Sequence, residues 1–130
     1  MEKQPLFIIS GKVVHGKGKG KTVGMPTANL EWSEILDLPE LGVYASKIQI
    51  EDKWYIGVTN VGFRPSVDNE KSITIETFIF DFHQDIYGYH VVLELYMYIR
   101  ETTKMKSLNE VQEQVKKDCE SARRFFSGSL

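Results

Sequence analysis

Residues 16–24, Gly16-Lys17-Gly18-Lys19-Gly20-Lys21-Thr22-Val23-Gly24, alternate residues that lack a side chain with residues that carry positive charge. Glycine lets backbone N–H groups come close to a phosphate oxygen, and lysine adds charge, so the stretch suits a phosphate-bearing anion. It is not a P-loop. Gly20-Lys21-Thr22 supplies the end of that pattern, but His15 stands where the first glycine is required. The dinucleotide fingerprint fails too, because its third glycine falls on Val23. Pro26 follows closely, so no long helix starts here to aim its dipole at a phosphate. The competing reading is a solvated surface loop.

Met25-Pro26-Thr27-Ala28-Asn29 comes next. Thr27 offers a hydroxyl oxygen and Asn29 an amide oxygen, two residues apart, so in extended chain both point to one side. Such oxygens suit a hard cation, such as magnesium, that also holds phosphate oxygens; ordinary turn capping is an equal alternative. Glu76 is the second chemical clue. Alternation in Ile73–Phe82 sets Thr74, Glu76, Phe78, Phe80 and Phe82 on one face, with Ile73, Ile75, Thr77 and Ile79 on the other. A carboxylate among phenylalanines costs free energy unless it is paired, hydrated or used, and accepting a proton is one such use. A structural pairing with backbone or arginine would satisfy it equally. The histidines His15, His83 and His90 lack metal-ligand spacing, and Cys119 reads as a small packing group.

Five segments read as strands: Phe7–Val14, Gly42–Ile50, Trp54–Val61, Ile73–Phe82 and His90–Arg100. In the last, Val91, Leu93, Leu95, Met97 and Ile99 share one face by alternation, and Glu94, Tyr96, Tyr98 and Arg100 the other. Glu51-Asp52-Lys53 and Asp85-Ile86-Tyr87-Gly88 read as turns, and residues 31–41 and 63–72 as long loops. A helix starts after Ser107, where Ser107-Leu108-Asn109-Glu110 fits a capping box. Leu108, Val111, Val115, Cys119, Ala122 and Phe126 make its apolar stripe, and Gly128 suits its end. Many strands before a single helix predict a closed antiparallel barrel rather than a parallel sheet, which needs crossover helices.

The 130 residues fit one domain, and 42% hydrophobic with 26% charged residues is a globular composition. No apolar run approaches the roughly 18–20 residues that span a bilayer, and Met1–Lys12 lacks a signal-peptide layout. One cysteine excludes an intrachain disulfide and a cysteine-based zinc site. The expectation is a cytoplasmic monomer. The net charge of −2 hides an asymmetry: residues 1–22 hold five lysines and one acid, a net +4, leaving −6 on the other 108. Basic charge this confined argues against a nucleic-acid partner.

In order and spacing these segments resemble the ATP-dependent riboflavin kinase family of bacteria and eukaryotes. The resemblance runs from Gly11-Lys12-Val13-Val14-His15-Gly16 through Gly24-Met25-Pro26-Thr27-Ala28-Asn29 and Gly42-Val43-Tyr44 to Asn60-Val61-Gly62-Phe63-Arg64-Pro65-Ser66. It continues with Ile75-Glu76-Thr77, Phe80-Asp81-Phe82, Asp85-Ile86-Tyr87-Gly88, Tyr98-Ile99-Arg100-Glu101, Lys104-Met105 and Ala122-Arg123. It implies a mainly β fold, a six-stranded antiparallel Greek-key barrel with a C-terminal helix, filling residues 1–130 as one kinase domain. It implies transfer of the ATP γ-phosphoryl group to the ribityl 5′-hydroxyl of riboflavin, giving FMN and ADP.

The resemblance also implies roles. Glu76 would be the base. Gly16, Gly18, Gly20 and Lys21 would cover the nucleotide, and Thr27 and Asn29 would hold its phosphates and Mg2+ or another divalent cation. Arg100, Lys104, Met105 and Ser107 would close over the flavin. Three residues or segments depart from the family pattern: Phe78 replaces a common histidine, Met105 a common aromatic, and the glycine stretch has its lysine alternation. Many relatives carry an FMN adenylyltransferase domain that these residues do not contain, so FAD is not an expected product. Two alternatives compete with the kinase: a flavin- or FMN-binding regulatory module, and a small RNA-binding barrel using the lysine stretch.

Overall fold

The computed structural model describes residues 3–14, 27–35, 39–65, 71–102 and 105–127. Six strands form: β1 (Phe7–Val14), β2 (Ala28–Ile35), β3 (Gly42–Ile50), β4 (Lys53–Pro65), β5 (Lys71–Ile79) and β6 (His90–Arg100). One helix follows, α1 (Leu108–Phe126). The strands pair antiparallel in the order β1-β2-β5-β4-β3-β6, and β6 closes on β1. Closure removes the unpaired edges an open sheet would expose.

Alternation explains the layering. Inward residues such as Ile9, Leu30, Ile48, Val61, Ile75 and Leu93 fill the barrel. Ile86, in the turn before β6, joins this core from a loop. That turn is held by the Tyr87 N–H donating to Asp85 Oδ1 at 3.0 Å and by Gly88 at φ 86°. The interior also holds three hydroxyls with no solvent exposure. Thr59 Oγ1 lies 2.8 Å from Ser46 Oγ and 2.8 Å from Thr77 Oγ1, so each is satisfied within the barrel.

A second apolar cluster lies outside the barrel. Val43, Ala45, Val58 and Phe80 face outward and meet Ala122, Cys119, Phe125 and Phe126 of α1. Of the outward positions of β5 only Phe78 packs against this cluster, whereas Thr74 and Glu76 stay partly exposed, so the strand is not covered on both faces as its apolar composition predicts. Ser107 caps α1 and accepts from the Glu110 N–H at 3.2 Å. The return arm of the box goes one residue earlier, with the Lys106 N–H donating to Glu110 Oε2 at 2.8 Å. The helix ends at Phe126 with Ser127 as its cap; Gly128 lies outside the described residues.

Four other sequence expectations change. β2 occupies part of the expected 31–41 loop; its run Glu31-Trp32-Ser33-Glu34 hides a strand whose inward positions are Ala28 and Leu30. β4 extends to Pro65 and β5 starts at Lys71, which shortens the 63–72 loop; residues 66–70 lie outside the described set. β5 stops at Ile79 because Asp81 takes a left-handed φ of 55° and turns the chain. β6 does not keep one face. Its pairing with β3 slips twice, so Val91, Leu93 and Leu95 point inward while Met97 and Ile99 pack outside with the helix. A bulge adds one residue and reverses the side-chain alternation beyond it.

Candidate active site

β-pairing brings residues far apart in sequence onto one belt around the barrel. Asn29 pairs with Glu76 across β2 and β5, and Glu76 with Asn60 across β5 and β4. Asn60 pairs with Val43, and Val43 with Arg100. At about 4.8 Å per strand, Asn29 and Arg100 lie about 19 Å apart along this belt. The neighbours of each polar member, Ala28 and Leu30, Ile75 and Thr77, Thr59 and Val61, are buried inside. Asn29, Glu76 and Asn60 therefore point outward, and each is partly exposed. A carboxylate thus sits between two carboxamides on the outer surface, just beyond the patch α1 covers.

Thr27 immediately precedes β2 and is also partly exposed. With Asn29 it offers a hydroxyl and an amide oxygen, hard donors of the kind magnesium takes, and leaves the Glu76 carboxylate beside them. Among the described residues no cluster of three or more His, Cys, Asp or Glu side chains could hold a metal. A cation in this place would complete its shell with substrate phosphates, as magnesium usually does in phosphoryl-transfer sites. The donor set fits the ion. β2 begins just after the glycine–lysine stretch, but Gly16, Gly18, Gly20 and Lys21 lie outside the described residues.

At the other end of the belt Arg100 is engaged. Its Nε and Nη2 donate to Asp118 Oδ1 and Oδ2 at 2.9 and 2.8 Å, and its Nη1 donates to the Glu101 carbonyl at 3.0 Å. Arg100 is thus held in a two-pronged ion pair with the helix. Tyr96 and Tyr98 also part company. Tyr96 packs against Phe125 and Phe126, whereas Tyr98 crosses Tyr44 edge-on at 5.3 Å. Burial pushes the Tyr96 hydroxyl up to about 12, and its hydrogen bond to Glu94 acts in the same direction. Tyr44 is likewise raised, chiefly by burial, and donates to the Glu40 carbonyl at 2.7 Å.

Two depressions flank the segment that follows Arg100. One, of about 490 Å³, is lined by Glu40, Leu41, Gly62, Phe63, Tyr98, Glu101 and Thr102. Three of the chain's exposed large apolar side chains, Leu41, Phe63 and Tyr98, gather there. Thr102 Oγ1 donates to Asn60 Oδ1 at 3.2 Å, which ties this depression to the residue beside Glu76. The other, of about 440 Å³, is bounded by Met105 and by Asn109, Glu110, Glu113, Gln114 and Lys117 of α1. Met105 thus faces a surface hollow, while the Ser107 side chain serves the helix cap. Lys104 lies outside the described residues. Sequence reasoning gave Asn60 no role and did not single out Asp118. The signal for Asp118 was its place four residues from Gln114 and Ala122, beside the apolar stripe.

A closed antiparallel barrel with a carboxylate–carboxamide belt on its outer wall and a helix packed beside it defines the chain as a small helix-flanked β-barrel domain. Comparison with known proteins narrows the class: the riboflavin kinase family (Flavokinase) matches residues 4–126, so the chain belongs to that family. It is 39% identical over 126 residues to the bifunctional riboflavin kinase/FMN adenylyltransferase of Bacillus subtilis, covering 95% of this chain and 40% of the relative. It is 40% identical over 113 residues to the RNA-binding riboflavin kinase RibR of the same organism, covering 87% of this chain and 48% of that protein. The chain therefore spans less than half the length of these curated relatives. Among solved structures, one described as a macrolide-efflux protein from Streptococcus pneumoniae aligns with TM-score 0.85 and 38% identity, over 92% of this chain and 38% of that one. Riboflavin kinase from Trypanosoma brucei aligns with TM-score 0.64 and 22% identity, over 98% of this chain and 83% of that one, which shows the shared fold. No helix among the described residues is long and apolar enough to cross a membrane.

Proposed function

We propose that this chain is an active riboflavin kinase, moving the γ-phosphoryl group of ATP to the ribityl 5′-hydroxyl of riboflavin. The observation that carries the reading is the register: Glu76 stands directly across from Asn29 on the outer wall. This pairing supports the reading, because a proton acceptor beside a phosphate-and-cation holder suits an in-line transfer. The acceptor oxygen forms a bond to the γ-phosphorus as the bond to the ADP oxygen breaks, and the hydroxyl proton passes to the Glu76 carboxylate. An alcohol is too weak an acid to ionise beforehand near pH 7, so a carboxylate within about 3 Å is the group needed.

The transition state is loose, so positioning and charge neutralisation do most of the work. Thr27 and Asn29 would hold a divalent cation together with the nucleotide phosphates. When bound, such an ion neutralises the charge that develops on the phosphoryl oxygens. Gly16, Gly18, Gly20 and Lys21 would cover the nucleotide. The segment from Arg100 through Lys104 and Met105 to Ser107 would form the flavin side, and Arg100 and Ser107 would shape it through their protein partners.

Incubation with riboflavin, ATP and magnesium, followed by chromatography, tests the reading: FMN and ADP should appear in equal amounts. Flavin binding without FMN would instead indicate a flavin-responsive binding module. Salt-sensitive RNA binding with neither would indicate a nucleic-acid role.

A further inference from the structure

Asp118 is the one buried charged side chain among the described residues, with 2% exposure. The phosphoryl-transfer chemistry does not use it. Its two oxygens accept from Arg100 through a parallel pair of bonds, and Gln114 Nε2 adds a third to Oδ1 at 3.1 Å. A buried ion pair is a poor stabiliser, since apolar residues of similar volume often serve as well or better. Its presence in an otherwise apolar helix–barrel interface therefore asks for another reason.

The geometry supplies one. A bidentate fork fixes both the position and the plane of a guanidinium. Here that leaves Nη1 aimed at the Glu101 carbonyl, 3.0 Å away. The next residue, Thr102, donates to Asn60 Oδ1, and Asn60 is the cross-strand neighbour of Glu76. An unbroken series thus runs from the middle of α1, through the end of β6, to the strand position beside the base. The same series borders the depression lined by Glu101 and Thr102.

We propose that Asp118 is a positioning residue: through Arg100 it sets Glu101 and Thr102, and with them the place of the flavin substrate relative to Glu76. The proposal rests on the riboflavin kinase reading. A misplacement of about 1 Å at a reacting centre can cost about 100-fold in rate, so a loosened segment has a measurable effect without contact between Asp118 and substrate.

The test uses Asp118→Asn, the double variant Arg100→Met with Asp118→Leu, and Thr102→Val. Asp118→Asn removes the fork. The double variant fills the same space with apolar groups and keeps the helix docked. Thr102→Val removes one exposed hydroxyl at the far end of the series. The expected result for the first two is a riboflavin KM raised about tenfold, with the KM for ATP changed less than twofold. The double variant should show this at a melting temperature near wild type. Thr102→Val should move riboflavin KM in the same direction, by about threefold.

A folded double variant whose kcat and riboflavin KM both stay within twofold of wild type overturns the proposal. So does an equal rise in both KM values, which marks general loosening. Riboflavin dissociation constants from flavin fluorescence quenching on the same variants separate the two readings. If wild type binds riboflavin but makes no FMN, the kinase reading fails, and the dissociation constants alone then support or overturn the positioning role. If wild type neither binds nor reacts, both fail.

Discussion

Replacing Glu76 by glutamine isolates the proton-acceptor role. Glutamine has the same shape, and its carboxamide would lie between Asn29 and Asn60, both able to hydrogen-bond it. The position faces outward and is partly exposed, so no charge is left buried by the change. Stability should move by no more than about 0.5 kcal/mol, the range of ordinary surface substitutions; for a chain of this size that is under about 3 °C in melting temperature. Catalysis should move far more. A positioned general base contributes roughly 100- to 10,000-fold, or about 3–5 kcal/mol at 1.36 kcal/mol per decade. We expect kcat for FMN formation to fall at least about 100-fold, with riboflavin binding by fluorescence quenching changed less than about threefold. The assay is chromatographic FMN formation at saturating ATP, magnesium and riboflavin. A kcat within threefold of wild type would refute the role, because the amide cannot accept the proton. A large loss of flavin affinity with kcat retained would assign Glu76 to binding instead.

Other outcomes follow from the same geometry. Asn29→Ala should raise the KM for the magnesium–ATP complex more than that for riboflavin, read from initial rates with each substrate varied in turn. Thr59→Val leaves Ser46 and Thr77 without their shared partner inside the barrel, and should cost about 2–6 kcal/mol in urea unfolding, at roughly 1–3 kcal/mol per stranded group. Gly42→Ala places a Cβ 2.4 Å from Tyr98 Cε1 and 2.8 Å from the Arg100 carbonyl, at a φ of 153°; it should destabilise by about 1–3 kcal/mol and disturb the end of β6. Cys119 is held protonated, its thiol pushed up from 9.0 to about 11, mainly by burial and then by the Asp118 charge. The unfolded chain binds fewer protons than the folded one once pH passes the unfolded value. The stability this thiol contributes is therefore complete below pH 9 and is lost as pH rises through about 11, with Tyr96 adding in the same direction toward about 12. Alkylation at pH 8 should accordingly be slow in the native protein and fast after unfolding.

Much of this was legible in the chain because period and punctuation agreed. Phe7–Val14, Gly42–Ile50 and His90–Arg100 kept the boundaries their alternation suggested, and Ser107 caps the helix as its spacing implies. β2 was not legible because its run Glu31-Trp32-Ser33-Glu34, with Glu31 and Trp32 exposed, lacks the apolar signature. It is recognisable only once β1 and β5 exist to pair with it. The reversal of faces in β6 was hidden for a different reason. A bulge is a property of two strands in register, and the sequence of one strand carries no mark of it. The site was half visible. Thr27, Asn29 and Glu76 stood out by residue type in an unlikely setting, but that Asn29 and Glu76 are neighbours is a fact of closure. Arg100 was noticed as a charge on a polar face, whereas its partner Asp118 sat beside an apolar stripe where an acid reads as solvent-facing.

The barrel's interior explains why the belt lies on the outside. Ile86 packs into the core from the turn before β6, and the hydroxyls of Ser46, Thr59 and Thr77 are spent on one another, so among the described residues the core offers no unsatisfied side-chain group to a ligand. Polar recognition must then use the outer wall, where each strand shows only every second residue. Helix α1 takes part of that wall with Val43, Ala45 and Phe80 and leaves Asn60, Glu76 and Asn29 clear of its apolar contact. Val43 lies in the belt between Asn60 and Arg100 and under the helix, so the two polar halves are separated by a dry contact. Communication between them must pass through the chain that leaves β6, which is where the Arg100–Glu101 and Thr102–Asn60 bonds are found. The helix therefore does two things with one face. Its apolar residues anchor it to the barrel, and its single buried acid carries that fixed position to the edge of the site.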